Sequence, residues 1–456
     1  MRVPAWSPAA SIVVRMARRR RGLLGKILLG LVLVLVVAVV AGYWYIRPLL
    51  LTGTGYAAHN ACAVTFVAGR DDPAADLPPN PLVPYLRTTI DQSEGSATTS
   101  VLGVLARQTA WVSDGFGCTI TARHPEHPAA VPVTGSNAIA EAATPDAVPD
   151  ALAKALDAAF ADGLGTRGVV VVKDGKLVAE RYADGFTKDV PQLGWSMSKS
   201  VANLLTGRVA AQGKVTVGDA NLRPEWTDDR AAITVEDLMR MRSGLAWDET
   251  YDLGTAITEM LYLAPDMGAF AASQKLVHPV GTFEQYSSGS TNILCDVLLD
   301  RTGSDANLPR ELLFAPLGIS SAVWEPDASG TPVCSSYMWA TPRDWAAVGQ
   351  FALDDGVVGG ERLLPEGWLA SSLTPTDAQT REDDDYGAGW WLNTNVDGSG
   401  VYAGLPKDAY WMSGHDGQRV FVIPSKGLVI ARLGFSPGLD GDTLAQLAAD
   451  VVAAVG

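Results

Sequence analysis

The stretch Gly194-Trp195-Ser196-Met197-Ser198-Lys199-Ser200 opens a run to Gln212 in which Val201, Leu204, Leu205 and Val209 keep helical register, with Gly213 beyond its end. If the helix begins at Ser196, Lys199 lies three residues on, over the same face. An ammonium is then brought to a hydroxyl. The positive end of the helix dipole and burial both disfavour the charged lysine, lowering its pKa from the free value of about 10.4, so that the amine can accept the serine proton. The same dipole supports negative charge developing beside the serine. Alone, S-x-x-K is a weak pattern, because serine is abundant and a solvated helix start reads the same way.

The flanking sequence has the texture of a compact α/β domain from about Thr144 onward. Pro149 to Asp162 puts Leu152, Leu156, Ala159 and Phe160 on one face and stops at Gly163, which predicts an amphipathic helix. Val169 to Val172, the turn Lys173-Asp174-Gly175-Lys176 and Leu177 to Tyr182 predict a hairpin. Near the C-terminus, Arg419 to Ile423, Pro424-Ser425-Lys426-Gly427 and Leu428 to Leu433 predict a second hairpin, followed by a closing helix over Thr443 to Val455. Helix and hairpin at one end, hairpin and helix at the other, imply an α/β fold: one antiparallel sheet covered by terminal helices, with a helical subdomain between.

Three further segments follow the serine in order: Ile233-Thr234-Val235-Glu236-Asp237-Leu238-Met239-Arg240-Met241-Arg242-Ser243-Gly244-Leu245, then Pro279-Val280-Gly281-Thr282-Phe283-Glu284-Gln285-Tyr286-Ser287-Ser288, then Trp411-Met412-Ser413-Gly414-His415-Asp416-Gly417-Gln418. Taken together, about Thr144 to Gly456 resembles the serine β-lactamase and penicillin-binding superfamily. More narrowly, it is similar to the class C-related serine hydrolases that include esterases and 6-aminohexanoate-dimer hydrolases. The ordered set is far more specific than any one member of it.

That resemblance implies a β-lactamase-like fold with Ser196 as acylated nucleophile and Lys199 as its base partner. Tyr286 matches the tyrosine of the Y-x-N motif, which shuttles a proton between nucleophile, leaving group and water; it forms one coupled unit with Lys199. The oxyanion hole would be the backbone N–H groups of Ser196 and Gln418. Two positions depart from the pattern. Tyr286-Ser287-Ser288 carries a hydroxyl at Ser288 where the motif has an amide, and His415-Asp416-Gly417 replaces K-T-G, removing the cation that holds a β-lactam carboxylate. Both weaken the case for a true β-lactamase or D,D-peptidase and suit esters or small amides. Ser288, His415, Trp247 and Trp391 are candidate substrate contacts, although strand packing accounts for His415 equally well; Trp195, Trp390 and Trp411 also fall near the motifs, where core packing competes with a site role.

The N-terminal end has a different character. Of 35 Lys and Arg, eight lie in Met1 to Arg47 with no acid among them, leaving 27 against 50 Asp and Glu, or −23, for the rest of a 456-residue chain whose formal charge is −15. An acidic body of that size repels phosphate backbones and excludes nucleic acid as a natural partner. Ile27 to Ile46 is uncharged and apolar, closes on Tyr43-Trp44-Tyr45, and is preceded by Arg18 to Arg21, the pattern of one membrane-spanning helix with a cytoplasmic N-terminus. A cleaved signal ending at Val39-Val40-Ala41 is the rival reading, against which the length of the apolar run argues.

The implied organisation is a basic tail (1–26), an anchor (27–46), a Pro-rich stalk with a small accessory region (47–143) and a hydrolase domain (144–456), everything after Arg47 lying outside the cytoplasm. Disulfides persist there. Cys62 and Cys118 both precede the hydrolase domain and Cys295 and Cys334 both lie within it, which favours those two pairs over four buried thiols. Gly163-Leu164-Gly165-Thr166-Arg167-Gly168 satisfies G-x-G-x-x-G but follows a helix and precedes a strand, the reverse of the order phosphate binding requires. His124-Pro125-Glu126-His127 sits among prolines that deny helical ligand spacing, so no metal is expected, nor any organic cofactor. The expected activity is hydrolysis of a small-molecule ester or amide. The alternatives are a D,D-peptidase or β-lactamase on the same fold, and a non-catalytic binding or sensory module that inherited it.

Overall fold

The computed structural model describes the backbone of residues 8–380 and 386–456 and the side chains of 26–378 and 386–456, so the Arg18 to Arg21 side chains lie outside the described residues. The chain forms two units, Met1–Leu50 and Leu51–Gly456. Helix α1 (Pro8–Phe66) supplies the first unit and, from Leu51, the start of the second. In the first unit its apolar side chains are exposed, Leu29 by 69% and Val39 by 63%, and its length and mean hydropathy of 2.7 suit a membrane crossing.

Past Ile46 the helix continues to Phe66, a continuation that Thr52-Gly53-Thr54-Gly55 conceals in the sequence. Tertiary contact explains both glycines. A Cβ on Gly55 would stand 2.8 Å from Tyr262 Cβ, and one on Gly53 2.7 Å from Leu82 Cδ1, so packing outweighs poor helix propensity. Leu86–Asp91 (β1), Ser96–Val101 (β2), Leu105–Ser113 (β3) and Gly117–Ile120 (β4) form a four-stranded antiparallel meander. It shares a small core with Ala58, Ala61, Cys62 and Val64 of α1 and with Trp339.

Cys62–Cys118 pins the helix to this meander and Cys295–Cys334 closes a second loop, as the sequence implied. The first bridge spans 56 residues. On a chain-entropy basis a loop of that size stabilises by about 4 kcal/mol. Replacing Cys62 and Cys118 together by serine is expected to lower the thermal midpoint of unfolding by several degrees; an unchanged midpoint would show that the bridge constrains nothing the fold does not already hold.

The main sheet is six-stranded and antiparallel, in the spatial order Trp391–Leu392, Tyr410–Gly414, Gln418–Ile423, Leu428–Gly434, Thr166–Lys173, Lys176–Tyr182. Strand alternation sorts its two faces. Val169, Val171, Phe421 and Ile430 pack under the terminal helices α2 (Asp150–Ala159) and α7 (Gly441–Val455). Val170, Val172, Val420 and Val429 face the larger core, which holds α3 (Met197–Ala211), α4 (Ala256–Leu263), α5 (Ser288–Thr302) and α6 (Pro342–Leu353). Gly349 of α6 lets that helix approach: a Cβ there would stand 2.7 Å from both Val420 and Val429. Both terminal hairpins and both terminal helices thus lie within a few residues of their predicted spans.

Candidate active site

Ser196 stands immediately before α3, and three contacts fix the turn that carries it. Gly194 N–H donates to the Met338 carbonyl at 2.9 Å, Met338 N–H donates to Ser198 Oγ at 3.3 Å, and a Cβ on Gly194 would strike the Trp345 ring. Trp195 takes φ +50°, a region costly for an L residue, which surrounding contacts must hold. The helix then delivers Lys199 one turn on, as the spacing predicted.

Lys199 Nζ, almost wholly buried, lies 2.9 Å from Ser196 Oγ, 2.9 Å from Ser288 Oγ and 3.1 Å from the Ser335 carbonyl. It also stands 4.7 Å from the centroid of the Tyr286 ring. Burial lowers its pKa to about 8, and the carboxylate of Glu249, 3.8 Å away, pulls in the opposite direction. An amine so placed is increasingly neutral as the pH rises through about 8, and in that form it can take the serine proton.

Glu249 is the residue that the motifs did not disclose. Its carboxylate accepts from Ser288 Oγ at 2.5 Å, from Ser288 N–H at 2.9 Å and from Trp247 Nε1 at 2.5 Å. Ser287 caps α5, its hydroxyl accepting from Ser290 N–H, so Ser288 begins the helix and turns its own hydroxyl to Lys199. Sequence signal for Glu249 is slight: one acid among 50, four residues after Ser243-Gly244-Leu245.

The remaining candidates fall in distinct places. Trp247 is buried over Gly289 and orients Glu249. Trp391 is half-buried, 5.4 Å from the Tyr286 ring and 5.1 Å from that of Tyr386, so Tyr286 and Trp391 share one aromatic wall. His415 stacks on Tyr251 at 4.3 Å and meets the Trp195 ring at 5.6 Å, partly open to solvent. Gln418 pairs across its hairpin with Gly414, and a Cβ on Gly414 would sit 2.1 Å from the Gly194 carbonyl oxygen, so the hairpin touches the nucleophile turn. The Gln418 side chain is committed to Gly434, giving 2.6 Å to its carbonyl and receiving its N–H at 2.9 Å. Trp390 donates to Asn203 in the core, and Trp411 packs on the terminal-helix face of the sheet, so neither lines the site. Among the described residues no group of three or more His, Cys, Asp or Glu side chains is arranged for a metal ion.

Residues 153–453 match the Beta-lactamase family. The chain belongs to that family. The curated 6-aminohexanoate-dimer hydrolase of Paenarthrobacter ureafaciens is 24% identical over 306 residues, 60% of this chain and 74% of its own. Among solved structures, a proposed 6-aminohexanoate-dimer hydrolase from Bacillus anthracis aligns with a TM-score of 0.56 and 21% identity, covering 70% of this chain and 88% of that one. A family VIII carboxylesterase aligns with a TM-score of 0.53 and 17% identity, covering 68% and 99%. Family members are serine hydrolases, and the fold of residues 153–453 is mixed α/β with antiparallel sheets in the β-lactamase manner.

Proposed function

We propose that this chain is a membrane-anchored, exported serine hydrolase that cleaves a small ester or amide through an acyl-enzyme on Ser196. The observation that carries the reading is the 2.9 Å approach of a buried amine, Lys199, to the Ser196 hydroxyl. In the neutral form Lys199 takes the serine proton as Oγ bonds to the substrate carbonyl carbon. The oxyanion is received by the N–H groups of Ser196 and Gln418. Collapse of the tetrahedral intermediate breaks the bond to the alcohol or amine, which leaves with a proton passed through the Lys199 and Tyr286 pair. Water then enters, loses a proton to the same pair and releases the acid.

Ester or amide cleavage is favoured over β-lactam chemistry by the side chains that replace K-T-G. His415 stacks on Tyr251 and meets Trp195 edge-on rather than presenting a permanent cation. The names of the relatives, a 6-aminohexanoate-dimer hydrolase and a carboxylesterase, point the same way. Export is supported by two disulfides, one of them made by Cys62 near the C-terminal end of α1, and anchoring by the apolar stretch earlier in that helix. Turnover of a p-nitrophenyl ester at least about 100-fold faster than of a chromogenic cephalosporin is expected, a gap of two factors of ten in transition-state stabilisation; the reverse order would favour the D,D-peptidase or β-lactamase reading.

A pH dependence follows from the lysine. Acylation should rise with pH through about 8 and level off, because the protonated amine below that pH cannot take the serine proton. Glu249 raises the Lys199 pKa, so Glu249→Gln should move this limb toward lower pH while loosening Ser288. A limb that stays in place in the variant would remove Glu249 from the electrostatics of the base.

A further inference from the structure

We infer that the segment of α1 from Leu51 to Phe66, outside the family-matched residues, seats the nucleophile, with Tyr56 and His59 as positioning residues for Ser196 and Lys199. The inference rests on the reading of Ser196 as nucleophile. Two contact paths carry it, and both end on the residues that hold the serine turn.

The first path runs through Trp195. Its side chain is enclosed by the rings of Tyr56 at 6.0 Å, Tyr251 at 5.7 Å, Tyr337 at 6.3 Å and His415 at 5.6 Å. Tyr56 presents its edge, 81° from the indole plane, and is itself stacked on Tyr262 at 4.8 Å, which leaves it little freedom to retreat. Trp195 immediately precedes Ser196 and holds a positive φ, a conformation that persists only where neighbours over-determine it. Tyr56 is one of those neighbours, and it comes from α1.

The second path runs through His59. Its ring stacks on Tyr337 at 4.0 Å, and its Nε2 lies 2.9 Å from Glu325 Oε2. Glu325 is fully buried and also accepts from Trp339 Nε1 at 3.1 Å and from Cys118 N–H at 2.7 Å. Between those anchors runs Ser335 to Trp339, whose Ser335 carbonyl receives Lys199 and whose Met338 backbone bonds both Gly194 and Ser198. The segment that holds the base and the serine turn is thus backed by one imidazole of α1.

A displacement of about 1 Å at a reacting group costs on the order of 100-fold in rate, so losing either backing should appear in the chemical step before it appears in substrate binding. The test uses the full chain in detergent, with single-turnover acylation by a p-nitrophenyl ester, steady-state kcat and KM, and thermal unfolding recorded for each variant. Tyr56→Ala is expected to lower the acylation rate and kcat by about 10-fold to 100-fold with KM within about threefold, the scale of a misplaced reacting group. Tyr56→Phe, which keeps the ring, should restore at least about half of the wild-type rate, a loss far below that misplacement scale. Val64→Ala is the structural control: Val64 is buried on the same helix but packs in the core of the meander, so it should lower stability while leaving kcat near wild type. Where Tyr56→Ala fails to fold, Tyr56→Leu carries the same expectation. A folded Tyr56→Ala or Tyr56→Leu protein with wild-type acylation overturns the inference, as does an equal loss of kcat in Val64→Ala. Wild-type protein that gains no acyl group on Ser196 would sink the hydrolase reading and this inference with it, an outcome distinct from the other two.

Discussion

Lys199→Met protein is expected to fold normally and to turn over an ester substrate about 10²-fold to 10⁴-fold more slowly than wild type, the range that a positioned general base contributes. Methionine matches the length of the lysine stem and carries no charge. Because burial already disfavours the ammonium, an apolar side chain at this site removes a desolvation cost, so the thermal midpoint should hold or rise. The Ser335 carbonyl loses a donor, which offsets part of that gain. KM should change little, since Lys199 faces Ser196, Ser288 and Tyr286 rather than an open surface. The alkaline rise through about pH 8 should vanish in the same variant. Activity within about twofold of wild type would mean that another group takes the serine proton, because removing a working base costs far more than that.

Local physics explains which parts of this arrangement are legible in the sequence. Near-continuous apolar runs in Val169 to Val172 and in Arg419 to Leu433, with turns rich in Gly, Asp and Pro, mark the sheet because both of its faces are covered, each by its own helical layer. The three-residue spacing of Ser196 and Lys199 is a property of one helix, so it is visible without knowing the fold. Contacts that close over hundreds of residues leave weaker traces. Glu249 is one of many acids until α5 brings Ser288 to it, and the Ser335 carbonyl is backbone, which no residue type announces. Helix α1 is hidden beyond Ile46 for a related reason: Gly53 and Gly55 look like a helix stop but serve a close approach to Leu82 and Tyr262. The tryptophans divide on the same principle. Trp247 and Trp391 touch Glu249 and Tyr286, whereas Trp390 and Trp411 face the interior, a distinction set by strand register and invisible to proximity along the chain.

Ser196→Ala should be the more drastic change, lowering kcat by on the order of 10⁶-fold, the scale for removing a nucleophile whose covalent intermediate carries the reaction. The hydroxyl accepts from Lys199, and alanine removes that contact without disturbing the helix that follows, so the variant should be folded and should bind substrate. Residual rate enhancement would come from the oxyanion donors and from binding alone. Loss of activity would also follow from a distorted serine turn or a displaced Lys199, so the covalent bond is the thing to observe. The direct measurement is intact-protein mass spectrometry after exposure to a fluorophosphonate or an activated ester, on wild type and Ser196→Ala side by side. The account predicts a single added acyl or phosphonyl mass on wild type, located on the peptide containing Ser196, and none on the variant. Equal labelling of both proteins would contradict it.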